Sequence, residues 1–234
     1  MRRWTIDDPL EPDPVYAPGQ ELSFNLVLVG RANDYLPYFV YAFEELGKMG
    51  IGKGRGRYRL TAISDLDGSV YDCRTRTLRP GETVALPVLA DNGETGKDGE
   101  REVSITFLTP ARIVYGRRLV SDLEFKVLVT SLLRRLLLLG HFHCNQNGGG
   151  WDHKAMIGRA EKVEKVQDSL SWRDWERYSG RQKTRMKMGG LVGTVTYRGE
   201  IEPFLSLLRA GEVLHVGKGT AFGLGKYRLH DDKG

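Results

Sequence analysis

Cysteine is nearly absent from this chain. Cys73 and Cys144 are its only two, too few for a disulfide framework and too few for a four-cysteine zinc site. A reducing compartment, the cytoplasm, is the resulting expectation. Long apolar runs are missing as well. The longest, Leu132 to Leu139, is interrupted by Arg134 and Arg135, so no membrane-spanning segment and no membrane partner are expected. The opening Met1-Arg2-Arg3-Trp4 leads into Asp7, Asp8, Glu11 and Asp13 among prolines, where a signal peptide would need an apolar core. No histidine precedes His141. Carboxylates, finally, are scarce in one window. Between Arg173 and Arg198 stand Arg173, Arg177, Arg181, Lys183, Arg185, Lys187 and Arg198 against only Asp174 and Glu176, with Trp172, Trp175, Tyr178 and Tyr197 interleaved.

Glycine, by contrast, is concentrated in the tail. Leu214-His215-Val216-Gly217-Lys218-Gly219-Thr220-Ala221-Phe222-Gly223-Leu224-Gly225-Lys226-Tyr227-Arg228-Leu229 places four glycines and two lysines between two apolar, strand-like ends. Glycine permits positive φ and close approach, so such a loop can aim backbone N–H groups at an anion, with Lys218 and Lys226 adding charge. A tight connection whose glycines serve only turns is the plain alternative. A Walker-type nucleotide loop is excluded: Gly219 follows Lys218 where Ser or Thr is required, and Gly211 lies one residue too far upstream.

The tail has an earlier twin. Gly50-Ile51-Gly52-Lys53-Gly54-Arg55-Gly56 runs into Arg57-Tyr58-Arg59-Leu60, as Gly225 runs into Lys226-Tyr227-Arg228-Leu229. A helix-like segment precedes each, Pro37 to Gly47 and Pro203 to Gly211. This internal repeat of helix, glycine-rich basic loop and strand predicts two copies, or parts of two copies, of one α+β module. A chain of 234 residues has room for two such domains at about 100 to 200 residues each.

Along the chain, residues 1–19 read as a proline-rich acidic lead and Leu22 to Val29 as a half-buried strand. A helix is expected over 35–46, a strand over Arg57 to Ile63, and strand-like pieces near Val70 and Val84 to Val88. The polar stretch Asp91 to Gly99 reads as a linker, which gives domains at 20–99 and 100–230. Beyond it the pattern predicts a strand over Val103 to Leu108, then a long helix from Leu123 to Leu139. Ser121 to Glu124 offer N-cap chemistry to that helix and Gly140 ends it. A polar segment runs from Lys154 to Gln167, and a strand from Gly193 to Tyr197. Strand, helix, strands, helix, strand is the order of a ferredoxin-like βαββαβ fold.

The tail from His215 to Gly225, together with Trp175, Arg177-Tyr178-Ser179, Arg181-Gln182 and Gly189 to Gly193, resembles the CRISPR-associated RAMP-superfamily endoribonucleases that process precursor CRISPR RNA. The resemblance runs from about Gly19 to Leu229. It implies tandem ferredoxin-like, RRM-like modules, CRISPR repeat RNA as substrate, other CRISPR effector proteins as partners, and cleavage with neither metal nor other cofactor. In that superfamily the first module usually opens with a strand and a helix that often carries a catalytic histidine. The proline-rich lead stands there instead, so the first module is expected to be incomplete, and a non-catalytic RNA-holding subunit or domain is kept as the alternative.

Such cleavage needs a base for the ribose 2′-hydroxyl, an acid for the leaving oxygen, and positive charge near the phosphorane. His143, and after it His141, are the candidate bases, because both follow the long helix beside a glycine-rich loop. The competing readings make one a helix cap and the other a packing residue, or combine His141, His143, Cys144 and His153 into a zinc site of no standard spacing. His215 reads as structural. The candidate RNA contacts are Gly217, Lys218, Gly219, Gly223, Gly225 and Lys226 in the late loop, Arg55 and Arg57 in the early one, and Arg177, Arg181, Lys183, Arg185 and Lys187 in the basic window. Arginines beside Trp and Tyr suit phosphates and unpaired bases. Of Trp172 and Trp175, at least one is expected in the core.

Overall fold

The computed structural model describes residues 15–52, 54–65, 68–79, 99–145, 152–179 and 184–231. The expected strand at Val84 to Val88 and most of the expected linker lie outside these. The chain divides into two compact units, one from Val15–Ala85 with Leu139–Gln146, the other from Leu86–Leu138 with Asn147–Gly234.

In the first unit, residues 21–29 form no strand. Their alternation serves packing instead: Leu28 is buried in a small core and Leu26 lies against it. A 3-10 turn at Gly30–Tyr35 leads into α1 (Leu36–Met49), with Pro37 in its first turn. Leu36 and Val40 of α1 pack with Ile63, Val70 and Tyr71 of an antiparallel sheet, β1 (Ala62–Asp65), β2 (Gly68–Asp72) and β3 (Thr77–Leu78). The strand expected from Arg57 starts later, at Ala62. The helix takes over the polar groups of that segment, since Tyr58 N donates to Gly47 O at 3.1 Å and the Tyr58 hydroxyl to Phe43 O at 2.8 Å.

The second unit contains β4 (Arg101–Ala111), the hairpin β5 (Val114–Tyr115) and β6 (Arg118–Leu119), α2 (Phe125–His143) and α3 (His153–Ala160). There follow β7 (Glu164–Asp168), β8 (Ser171–Arg173), β9 (Glu176–Ser179), β10 (Thr184–Lys187), β11 (Gly190–Gly199), α4 (Leu205–Leu214) and β12 (Tyr227–Asp231). The main sheet has the order β12-β4-β11-β7, with β8 also on β11 and every pairing antiparallel. With β4, α2, β7, β11, α4 and β12 as its six elements, this is the ferredoxin-like arrangement, fourth strand beside first and third beside second. Alternate residues Val103, Ile105, Phe107, Val195, Tyr197 and Tyr227 face a core closed by Phe125, Leu128 and Leu132 of α2 and Leu207 and Leu208 of α4.

Three expectations change here. Gly140 does not end the long helix. Its carbonyl accepts from Cys144 N at 3.0 Å, and the chain turns only at Asn145, where φ is 54°. An interior glycine costs only about 1 kcal/mol relative to alanine, so it does not by itself end a helix. The helix also starts later, at Phe125, and Asp122 pairs with Lys165 instead of capping. Finally, the segment from Lys154 divides into α3, capped by Asp152 accepting from Ala155 N at 2.9 Å, and strand β7.

The repeat survives as a shared device. In each unit the tyrosine of the Gly-Arg-Tyr or Gly-Lys-Tyr triplet donates its hydroxyl to a carbonyl of the preceding helix, Tyr58 to Phe43 and Tyr227 to Leu208. A helical glycine makes room for it. A Cβ at Gly47 would lie 2.4 Å from the Tyr58 carbonyl oxygen and 3.3 Å from its ring, and one at Gly211 would lie 2.1 Å from Tyr227 Oη.

Candidate nucleic-acid interface

The late glycine loop is stitched to the end of β4. Val216 N donates to Gly225 O at 3.0 Å, Lys218 N to Arg112 O at 2.8 Å, and Gly225 N to Pro110 O at 3.0 Å. Buried Thr109 donates its hydroxyl to Gly223 O at 2.8 Å and accepts from Lys226 N at 2.9 Å. Two of the glycines are required by this stitching. A Cβ on Gly225 would lie 1.8 Å from Val216 O, and one on Gly217 would lie 2.6 Å from Arg112 O. Gly223 differs, because a Cβ there meets nothing within 4 Å and only its φ of 82° demands glycine.

Most loop amides are consumed internally, but a short run is not. The N–H groups of Gly219, Thr220 and Ala221 form no hydrogen bond among the described residues. They open a 3-10 turn, Thr220–Phe222, beside exposed Lys218. Three amides without an internal acceptor beside an ammonium group are chemically suited to an anion. The reading of the whole loop as a cradle thus narrows to one corner of it.

His215 closes the loop from within. Burial lowers its pKa to about 4, and Lys226 and Arg135 add to that, against the opposing pull of the Leu224 carbonyl. The ring is neutral at pH 7, with Nδ1–H donating to Leu224 O at 3.2 Å. Its structural reading stands on that contact. Arg135 donates Nε to Leu214 O at 2.7 Å, tying α2 to the end of α4.

The basic window meets the same end of the sheet, at Ala111 and Arg112. β9 and β10 form a two-stranded ribbon whose base is closed by Met188 N donating to Trp175 O at 2.7 Å. Gly190 packs so tightly that a Cβ would lie 2.7 Å from the Ala111 carbonyl, and Arg112 Nη1 donates to Gly189 O at 3.0 Å. Met188 Cε stands 3.4 Å from the point a Gly219 Cβ would take. Lys187 and Lys218 therefore each neighbour one contact point between ribbon base and loop. Arg185 and Lys187 are exposed on the ribbon.

The window is less unbalanced than it reads. Arg185 Nη1 lies 3.6 Å from Glu176 and Arg198 pairs with Glu102. Tyr197 is fully buried, its hydroxyl donating to Leu123 O at 2.8 Å. Trp172 is exposed and Trp175 half-buried. Arg177 lies on β9 opposite Met186, and Arg181 and Lys183 fall outside the described residues. In the first unit, Arg55 and Arg57 are exposed around the bridge between Ile51 and Gly56.

His141 and His143 are exposed on the last turn of α2, within the helix and not beyond it. That turn groups with the first unit. A Cβ on Gly30 would lie 2.0 Å from His143 O, and Arg31 Nη2 donates to Phe142 O at 3.3 Å. Arg31 and Arg112 were not singled out in the sequence, because what places them is contact with residues far along the chain. No His, Cys, Asp and Glu group suited to a metal occurs among the described residues, and no helix there is long and apolar enough to cross a membrane.

A ferredoxin-like sheet whose last strand follows a glycine-rich loop defines a RAMP-like protein, and comparison with known proteins agrees. The family model described as CRISPR-associated endoribonuclease Cas6 matches residues 105–227, more than half of the chain, and a second, described as an N-terminal domain, matches residues 4–83. The chain belongs to the Cas6 family. An uncharacterized protein of Archaeoglobus fulgidus is 30% identical over 219 residues, covering 89% of this chain, which itself spans 66% of that protein's length. A partial Cas6-RT-Cas1–Cas2 complex is 18% identical with a TM-score of 0.57, over 93% of this chain and 37% of that one. A Thermus thermophilus Cas6 product complex is 18% identical with a TM-score of 0.53, over 89% and 74%. These two likenesses concern the fold.

Proposed function

We propose that this chain binds CRISPR repeat RNA and cuts it without metal, beside other CRISPR proteins. The cut is an attack of a ribose 2′-oxygen on the adjacent 3′-phosphate. The 2′-hydroxyl proton passes to a base, the bond from phosphorus to the 5′-oxygen breaks, and an acid protonates that oxygen, leaving a 2′,3′-cyclic phosphate and a 5′-hydroxyl. The observation that carries the RNA reading is the run of free amides at Gly219, Thr220 and Ala221 beside Lys218, inside the segment matched by the family. Lys187, Arg185, Arg177, Arg181, Lys183 and Lys226 add phosphate contacts in this reading, and Arg55 and Arg57 add more from the first unit.

His143 is the proposed base, with His141 behind it. Two residues apart on a helix, they diverge by about 200°, so one of them at most faces a given phosphate. The Arg31 guanidinium beside this turn is suited to the charge of the phosphorane. The second reading, an RNA-holding protein without cleavage, is favoured by one observation: His215, the histidine of the glycine loop, is withdrawn into the fold.

Labelled repeat RNA incubated in EDTA separates the readings. The wild type is expected to cut. One of His143→Ala and His141→Ala should lose about 100-fold or more in rate while binding RNA as before. Equal cutting by both variants would make these histidines structural. Tight binding with no cleavage by the wild type would establish the holding role.

A further inference from the structure

Among the described residues, five other than glycine have a positive φ: Arg55 at 47°, Arg76 at 54°, Arg117 at 65°, Asn145 at 54° and His215 at 63°. Asn and His are among the types that tolerate this region best, and both stand where a helix ends, after α2 and α4. The other three are arginines, and each closes a turn between antiparallel partners. Arg55 ends the turn that begins at Gly52 and returns to the bridge between Ile51 and Gly56. Arg76 ends the turn from Cys73 that joins Asp72 to Thr77. Arg117 ends the Gly116-Arg117 turn between Tyr115 and Arg118. Gly116 also has a positive φ, so this is the turn type whose central positions favour glycine and asparagine.

Glycine fits these last positions without strain, and the Cβ of an arginine does not. The fold gives the arginine side chains no bonded partner in return. All three are exposed, and none of their guanidinium groups forms a hydrogen bond or ion pair with another described residue. Each tip also shows a second exposed cation, Arg57, Arg74 or Arg118. Retained backbone strain at exposed groups of one sign points to a ligand outside the chain.

We infer that Arg55, Arg76 and Arg117 are phosphate contacts for the RNA backbone, set at turn tips where a guanidinium fork can straddle two phosphate oxygens. This rests on the RNA-binding reading above and adds Arg76 and Arg117 to it. Because such contacts read charge and not base identity, they act on any RNA sequence.

The test compares the wild type with the triple variant Arg55→Asn, Arg76→Asn, Arg117→Gly, whose new residues suit positive φ. A second triple variant carries Lys at all three positions. Melting temperature is measured alongside affinity for repeat RNA and for an RNA of scrambled sequence across a salt series. The Asn/Asn/Gly variant is expected to melt at the same temperature or higher and to lose affinity for both RNAs by the same factor. Its slope of log affinity against log salt should fall by about 0.7 for every phosphate no longer neutralised, and the Lys variant should keep the wild-type slope. An unchanged slope in the Asn/Asn/Gly variant overturns the inference and leaves the tips to an acidic protein surface. A lowered melting temperature with an unchanged slope overturns it in favour of an internal role. A wild type that binds neither RNA overturns the inference and the broader reading together.

Discussion

His215 shows how one residue ties the loop to pH. Its folded pKa of about 4 lies below the ordinary histidine value of about 6.5, so the unfolded chain takes up the proton first. Stability from this group is complete above about pH 6.5 and declines as pH falls toward 4, by up to about 1.4 kcal/mol per pH unit. Urea unfolding across that range should show a falling midpoint, and His215→Asn, which tolerates the positive φ, should flatten the decline. If the variant and the wild type decline in parallel, the proton goes elsewhere. At this scale the sequence was readable in part for His215, expected as a structural residue at a strand end and found instead at the end of α4. It was unreadable for Gly217 and Gly225, whose partners Arg112 and Val216 become evident only once the loop has closed. It was equally silent on Arg76 and Arg117, because residue type gives no reason to place arginine at positive φ.

Among the elements, the repeated pairing of a helix with the strand after its loop was legible as a repeat, and its physical content is the tyrosine hydroxyl. Tyr227 is 2% exposed, so Tyr227→Phe should cost about 1 to 2 kcal/mol by leaving a buried carbonyl short of a donor, and half-buried Tyr58→Phe about half as much. Gly211→Ala should cost more, because its methyl collides with Tyr227 Oη and with Leu132. Part of that loss should return in the double variant Gly211→Ala, Tyr227→Phe, measured by denaturant unfolding as a coupling energy. Additive losses would mean that the glycine and the hydroxyl do not share the space. The end of α2 was misread at this scale, since a single glycine was weighed as a stop against a helix whose packed residues extend from Phe125 to Leu133.

For the whole molecule, the ferredoxin-like order followed from element sequence alone, whereas the assembly of the interface did not. Arg112 meets Gly189, and Met188 meets the neighbourhood of Gly219, across separations that no local pattern encodes. The charge count also misled: Arg198 looked free in its window, yet it is paired with Glu102 across the β4–β11 register. That difference is measurable. Lys187→Ala combined with Lys218→Ala should lower the salt slope of RNA binding by about 0.7 for each phosphate left without its cation, whereas Arg198→Ala should leave it unchanged. Equal effects from both would spread the interface along the length of β11.

The order of strands also governs when the second unit can exist during synthesis. β4 is made early, but one of its two neighbours is β12, with Tyr227 opposite Phe107. Until a ribosome has passed residue 231, the emerging chain carries β4 with one row of N–H and C=O groups bare, a template for pairing with another nascent chain. Closure of so distant a pair is slow. Translation speed between β11 and β12, and whatever shields the emerging polypeptide meanwhile, thus bear directly on how many copies reach the folded state.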